Sequence, residues 1–297
     1  MKAEVFSSLE KVLQDRHLLV EEALRRALPV GESPEVLAAA MDSLLAPSKR
    51  LRPILVLLVA EVLGGDPRSI LPAACAVEMA HTSSLILDDL PSMDDGKQRR
   101  GRPACHIAHG ESTAILAAFA LLNRGYEILA EGWPGGPSAP LRAAIAQDLA
   151  RAVGAAGMIA GQARDLAMTD RNIDFPTLEF IHSRKTGALF IAAAAVGAAG
   201  AGASASARQA VMAYAKNLGL AFQIVDDLID ATGASAEAGK DVGKDLKKTT
   251  FVSFVGVAGA RQLAAELIET SQDALEPFGA AAQPLRNLAR YVIARRR

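Results

Sequence analysis

The sequence predicts an all-α protein. Alanine and leucine dominate while β-branched runs are scarce, and apolar residues recur at helical spacing in nearly every window. Breaks rich in Gly, Pro and Ser cut the chain into helix-length pieces. The 297 residues would fill one large core or two modest domains. No shift in composition marks a second domain, so one domain over residues 1–297 is expected.

In chain order, MKAEVFSSLEKVLQDRHLL reads as an amphipathic helix with charges throughout, unlike a signal peptide. LPVGESP (28–34) ends it. LRPILVLLVAEVLGG is apolar for about a dozen residues, too short to cross a bilayer, and reads as a buried helix. GGDPRS (64–69), EGWPGGPSAP (131–140), TDRNIDFP (169–176), GAAGAGASASA (197–207) and TGASAEAGKDVGKD (232–245) separate the following helices. Roughly ten or more helices result, joined by short loops.

Hydrophobic residues make up 51% and charged residues 22%, which fits a folded globular chain and excludes disorder. The formal net charge of −1 gives no field for nucleic acid, so electrostatic function must come from local clusters. The two cysteines, Cys75 and Cys105, have no metal-type spacing and suit a reducing, cytoplasmic setting. No transmembrane segment is expected.

Two aspartate clusters stand out. SLILDDLPSMDD holds Asp88, Asp89, Asp94 and Asp95, and AFQIVDDLID holds Asp226, Asp227 and Asp230. Asp226 and Asp230 are four apart and share a helix face. Asp88 and Asp94 are six apart and do not align on a regular helix. Pro91 removes a backbone donor, so a kink or bulge there is expected to bring Asp94 back towards Asp88. Two carboxylates ~4 Å apart repel by about 4 kcal/mol at an effective dielectric near 20. Hard divalent cations relieve this, and Mg²⁺, which keeps waters and bridges to phosphate, fits best. Helix capping would account for one isolated pair. It fits poorly with two clusters at the ends of strongly apolar helices.

Basic groups complete the pattern. PSKRLRP supplies Lys49, Arg50 and Arg52, KQRRGRP supplies Arg99, Arg100 and Arg102, and SRKTG supplies Arg184 and Lys185. AGKDVGKDLKK adds Lys240, Lys244, Lys247 and Lys248. Arginine forks and lysine point charges both suit phosphate oxygens, although each group alone is more often a solvated face. His81, seven residues before Asp88, can project from the same helix face, and its alignment there makes a binding role as good a reading as a structural one. Mg²⁺, diphosphate-binding cations and apolar helical walls point to a substrate with a diphosphate head and a hydrocarbon tail.

These residues resemble the trans-isoprenyl diphosphate synthases, from about Lys49 to Phe251. The order KRLRP, HTSSLILDD, RRG, KTG, FQIVDD, GKD is highly specific, and the likeness is nearest to bacterial geranylgeranyl diphosphate synthases of carotenoid pathways. The resemblance implies a helical bundle around a central apolar cavity, usually a homodimer. It also implies a reaction in which an allylic diphosphate ionises and adds to isopentenyl diphosphate, and a proton is lost. Dimethylallyl, geranyl and farnesyl diphosphates are the expected allylic partners. Carried over by position, Asp88, Asp94 and Asp226 would ligate Mg²⁺, with Asp89 and Asp230 in support. Arg99, Lys185 and Lys240 would hold the allylic diphosphate, and Lys49, Arg52, His81 and Arg100 the isopentenyl diphosphate. Thr186 and Gln223 would turn oxygen dipoles towards the carbocation, and the departing diphosphate would take the proton. Two departures are visible: APSKR stands where two glycines usually precede the first basic motif, and the lysine segment is two residues shorter than in many relatives. The second makes the roles of Lys244 and Lys248 less defined than that of Lys240.

Product length would be set one turn before Asp88. Farnesyl-producing relatives often carry an aromatic five residues before the first aspartate. Ser83 and Ser84 stand there, so growth past fifteen carbons is expected, with Met79 or Phe119 as the later wall. A farnesyl product is the alternative, and a terpene cyclase or a non-catalytic regulatory subunit is more remote. A cyclase should lack the isopentenyl diphosphate set, and a regulatory subunit should lose one aspartate motif. A di-iron bundle could draw on Glu78/His81 and Glu179/His182, but it also needs a glutamate from each of two further helices, and none occurs between Glu131 and Glu179.

Overall fold

The computed structural model describes residues 2–28, 31–232 and 249–295. The described chain runs through α1 (Lys2–Ala27), α2 (Pro34–Leu44), α3 (Leu51–Val62) and α4 (Leu71–Asp88). A short ribbon, β1 (Gln98–Arg99) with β2 (Arg102–Pro103), leads into α5 (Cys105–His109) and α6 (Glu111–Glu131). Then come α7 (Ala139–Val153), α8 (Met158–Ala167), α9 (Phe175–His182), a π-helical turn (Ser183–Gly187) and α10 (Ala188–Gly200). The chain closes with α11 (Ala205–Ala231), α12 (Phe251–Asp273), a 3₁₀ segment (Glu276–Ala282) and α13 (Gln283–Ala294).

The all-α expectation holds, with the ribbon as a local addition. Its two-residue turn places Arg100 and Gly101 at φ 54° and 73°, the left-handed pair that suits a tight hairpin. Breaks at 28–34, 64–69, 131–140 and 169–176 fall between helices as read. The 197–207 break begins later, because α10 continues to Gly200. There α10 crosses α3 closely: a Cβ on Gly197 would lie 2.5 Å from the Val56 carbonyl oxygen. A residue that reads as a breaker is thus a contact point.

α3 and α10 are apolar all round and sit at the centre of the bundle. α4 packs against α6, and a Cβ on Gly125 of α6 would lie 3.2 Å from the Ala76 carbonyl oxygen. A smaller apolar cluster joins Leu178 of α9 and Ile224 of α11 to Phe251 of α12. By length and composition α6 and α12 could cross a bilayer, yet both are built into the bundle.

Arg50 locks the start of α3. It takes the left-handed conformation at φ 49° and is fully buried. Its guanidinium donates to Glu78 and Glu21, each at 2.7 Å, and to the Leu44 carbonyl. This positive-φ residue is how APSKR makes its lead-in turn without glycines. It also commits Glu78 to structure, while Glu179 is exposed, so the two glutamate–histidine pairs do not form the di-iron arrangement.

Candidate active site

Around Asp88 the helix ends instead of kinking. Past Asp89 the chain reverses, and the Asp94 N–H donates to the Asp88 carbonyl at 2.9 Å. The Asp95 and Gly96 N–H groups close onto Leu90 and Asp89, and Pro91, without a donor, begins the reversal. Asp94 therefore returns beside Asp88, by a different route from the expected bulge.

Both carboxylates face Lys185. Its Nζ lies 3.3 Å from Asp88 Oδ1, 3.8 Å from Asp94 Oδ2 and 2.9 Å from Asp165 Oδ2. Burial works against the ammonium, but Asp88, Asp165 and Asp94 outweigh it and raise its pKa above the ordinary lysine value. Burial pushes the Asp88 carboxyl up, with Lys185 opposing and Asp94 adding to the rise. Lys185 and Thr186 belong to the π-helical turn, whose wider i→i+5 coil departs from regular helix geometry. Gly161 of α8 allows the approach: a Cβ there would lie 2.2 Å from the Lys185 backbone nitrogen.

Two residues of that helix escaped the sequence reading. Gln162 Nε2 donates to Asp88 Oδ1 at 2.6 Å, and Asp165 takes Lys185. The signal was GQARDL, with glutamine and aspartate three apart after the contact glycine.

Asp89 requires a correction. It was expected to support the metal, but it is 2% exposed and its carboxylate is held by Arg99 through Nε and Nη2. Adjacent helical residues project about 100° apart, so Asp89 cannot share the Asp88 direction. Arg99, expected at the allylic diphosphate, has one edge on Asp89 and is 30% exposed on the other side.

In α11, Gln223, Asp226 and Asp230 fall at i, i+3 and i+7, on one half-buried face. Asp227 turns inward. It accepts from Gln223 Nε2 at 3.0 Å and from the Phe251 N–H at 2.9 Å. Gln223 Oε1 in turn accepts from the Thr186 hydroxyl at 3.0 Å. Asp94, Asp165, Lys185, Thr186, Gln223 and Asp227 line one cavity of about 140 Å³.

Arg295 was also missed. From the end of α13 it reaches Asp226 Oδ1 at 2.9 Å, donates to the Phe222 carbonyl, and lies 3.7 Å over the Phe222 ring. Its side chain is 3% exposed, and burial lowers its pKa against the pull of Asp226.

Among the residues expected to hold isopentenyl diphosphate, Arg52 and His81 meet at 3.1 Å. An arginine N–H can only donate, so His81 Nε2 accepts and is unprotonated. Burial first, then Arg52 and Arg100, pushes the His81 pKa well below its ordinary value. Burial likewise lowers Arg52 to about 10. Arg100 approaches Glu78 at 3.7 Å, and Lys49 is exposed at the turn before α3. Lys240, Lys244 and Lys248 lie outside the described residues.

Ser83 is 3% exposed, and the Ser84 hydroxyl donates to the His81 carbonyl at 2.7 Å. Met79 is fully buried. Phe119 as a wall is corrected: α6 buries Ala114, Ala118 and Leu121, and this phase turns Phe119 to the outer surface at 62% exposure.

The donor set suits a hydrated hard cation. It offers only oxygens at Asp88, Asp94 and Asp226, and the buried Gln162 Oε1 beside Asp88 has no hydrogen-bond partner. Among the described residues no three His, Cys, Asp or Glu side chains enclose an ion unaided. Arg52 Nε, buried with no acceptor, is a matching demand for an anion.

The architecture is the all-α isoprenoid synthase fold. A crystal structure of an FPP/GFPP synthase from Zymomonas mobilis matches with TM-score 0.84 and 35% identity, covering 99% of this chain and 100% of that one. A geranyltransferase from Helicobacter pylori, complexed with magnesium and isoprenyl diphosphate, matches with TM-score 0.84 and 29% identity over 93% of each chain. The chain belongs to the polyprenyl synthetase family, whose model matches residues 34–277. It is 41% identical to a geranylgeranyl diphosphate synthase of Cyanophora paradoxa, over 95% of each chain. It is 42% identical to a dimethylallyltranstransferase of Fischerella ambigua, over 97% of this chain and 84% of that one.

Proposed function

We propose that this prenyltransferase condenses isopentenyl diphosphate with an allylic diphosphate and makes geranylgeranyl diphosphate. The observation that carries the reading is the convergence of Asp88, Asp94 and Asp165 on Lys185, beside the Thr186–Gln223 pair in one cavity. Dimethylallyl, geranyl and farnesyl diphosphates are successive primers.

The reaction begins with cleavage of the allylic C–O bond, and the electron pair leaves on diphosphate. Lys185, the exposed edge of Arg99, and Lys240 stabilise that charge. Asp88, Asp94, Asp226 and Asp230 would hold Mg²⁺, which when bound neutralises diphosphate oxygens and assists their departure. Arg52, His81, Arg100 and Lys49 hold isopentenyl diphosphate, and the unmet Arg52 Nε supports that assignment. Thr186 and Gln223 oxygens face the cation. Apolar Ile173, Leu178 and Ile181 in the cavity wall keep water from quenching it. The double bond of isopentenyl diphosphate then attacks, and the lost proton goes to the released diphosphate.

A homodimer fits the outer face of α6, where Ile115, Leu116 and Phe119 are 36%, 54% and 62% exposed. A second copy would bury them. Two free, buried cysteines and a near-neutral charge accord with a cytoplasmic setting.

One observation favours a farnesyl product instead: Ser83, expected to border open space, is 3% exposed. The product decides. With labelled isopentenyl diphosphate, each primer and Mg²⁺, a twenty-carbon alcohol is expected after dephosphorylation. Ser83→Tyr should shift it towards fifteen carbons. An unchanged chromatogram from that variant places the wall elsewhere.

A further inference from the structure

We propose that Asp227 is a positioning residue that sets the electrical polarity of the Thr186–Gln223 pair. The inference rests on the prenyl-transfer reading above, because it concerns how that pair meets a carbocation.

Asp227 is 6% exposed, and among the described contacts it meets two donors. Its Oδ2 takes the Phe251 N–H at 2.9 Å, at the buried first residue of α12. The neighbouring Thr250 and Ser253 cap each other, so this N–H relies on Asp227. Its Oδ1 lies 3.0 Å from Gln223. An ionised carboxylate only accepts, so Gln223 must turn its NH₂ towards Asp227. The Gln223 carbonyl oxygen then faces Thr186, whose hydroxyl must donate across the 3.0 Å separation. The order runs one way, from Asp227 through Gln223 to Thr186.

The consequence is chemical. With the Thr186 proton directed at Gln223, the remaining lone pairs of both oxygens are available to the cavity. A carbocation there meets negative dipole ends and no competing hydrogen. Had the amide been reversed, the Gln223 NH₂ would donate to Thr186, whose hydroxyl proton would then turn outward. The same two side chains would then repel the cation they otherwise stabilise. Asp227 touches no substrate in this scheme. It acts through Gln223.

Asp227→Asn separates this role from simple capping. Asparagine keeps the shape, and its oxygen still accepts the Phe251 N–H. Its NH₂ donates to Gln223, which forces the amide and then the hydroxyl to reverse. The kcat should fall about 10- to 100-fold, as for loss of one preorganised dipole in a dry site. The KM values and thermal midpoint should stay near those of the unaltered protein. An allylic diphosphate analogue with a protonated nitrogen at the cationic carbon should lose affinity by a similar factor. The thiolodiphosphate analogue, which carries no positive charge at the allylic carbon, should bind as before. Equal binding loss for both analogues, or unchanged kcat, overturns the proposal. If Asp227→Asn does not fold, a neutron structure of the unaltered protein reads the polarity directly. Deuterium on Thr186 Oγ1 directed at Gln223 supports it, and deuterium directed into the cavity overturns it. Absence of prenyl product and of thiolodiphosphate binding in the unaltered protein would instead mark failure of the prenyl-transfer reading.

Discussion

Asp88–Asp89 at the end of α4 and Asp226–Asp227 within α11 are the same dipeptide in two settings. In each, the first aspartate is partly exposed, at 15% for the Asp88 side chain and 24% for that of Asp226, and the second is buried, at 2% for Asp89 and 6% for Asp227. The inner residue builds the wall. Asp89 braces Arg99, and Asp227 holds Gln223 and the start of α12. Helical geometry compels the split, since neighbours point about 100° apart. The settings differ in how the outer charge is balanced. Asp88 shares Lys185 with Asp94 and Asp165, three carboxylates on one ammonium among the described residues. Asp226 instead has the guanidinium of Arg295, contributed by the far end of the chain. The first cluster meets a lysine of the π-helical turn, and the second meets an arginine that follows α13.

The largest effects should separate outer from inner positions. Asp88→Asn and Asp226→Asn should each lower kcat/KM by about 10³-fold, with little change in thermal midpoint. Asp89→Asn should do the reverse in emphasis. It weakens the pairing of Arg99, and because that arginine is partly exposed the cost should be about 2 kcal/mol in denaturant unfolding. Steady-state kinetics beside urea titration would show whether Asp88 and Asp89 divide this way.

Arg295→Ala sharpens the contrast between clusters. It removes the competitor at Asp226, so Mn²⁺ should bind about fivefold more tightly by calorimetry, the worth of one partly exposed ion pair. No change would mean that Arg295 and the metal do not compete.

The smallest effect concerns His81, which lies between the first cluster and Arg52. Its folded pKa is below its ordinary 6.5, so the unfolded chain takes up a proton that the folded chain refuses. The stability linked to neutral His81 is complete above the unfolded value and is lost as pH falls through it. His81→Gln should therefore flatten the decline in unfolding free energy between pH 7 and 5. A decline as steep as in the unaltered protein would contradict the neutral assignment.

Much of this was legible in the chain. Breaks rich in Gly and Pro placed the helices, and Pro91 marked where Asp94 returns to Asp88, although α4 ends there and does not kink. What escaped lies beyond local pattern. Gln162 and Asp165 are single polar residues on a helix, and only the fold brings them to Lys185. Arg295 meets Asp226 across 69 residues of sequence, and no short window contains that contact. Adjacency alone could not say which aspartate of each pair turns inward. The apolar outer stripe of α6 carries the same composition as a core stripe, so Phe119 read as interior.

The division of each aspartate pair is tested most directly by Mn²⁺ titration with the thiolodiphosphate analogue, followed by electron paramagnetic resonance. The four single Asp→Asn variants at 88, 89, 226 and 227 would be compared. Asp88→Asn and Asp226→Asn should lose bound Mn²⁺, while Asp89→Asn and Asp227→Asn should retain it. Loss of bound metal in the inner variants with retention in the outer ones would contradict the account.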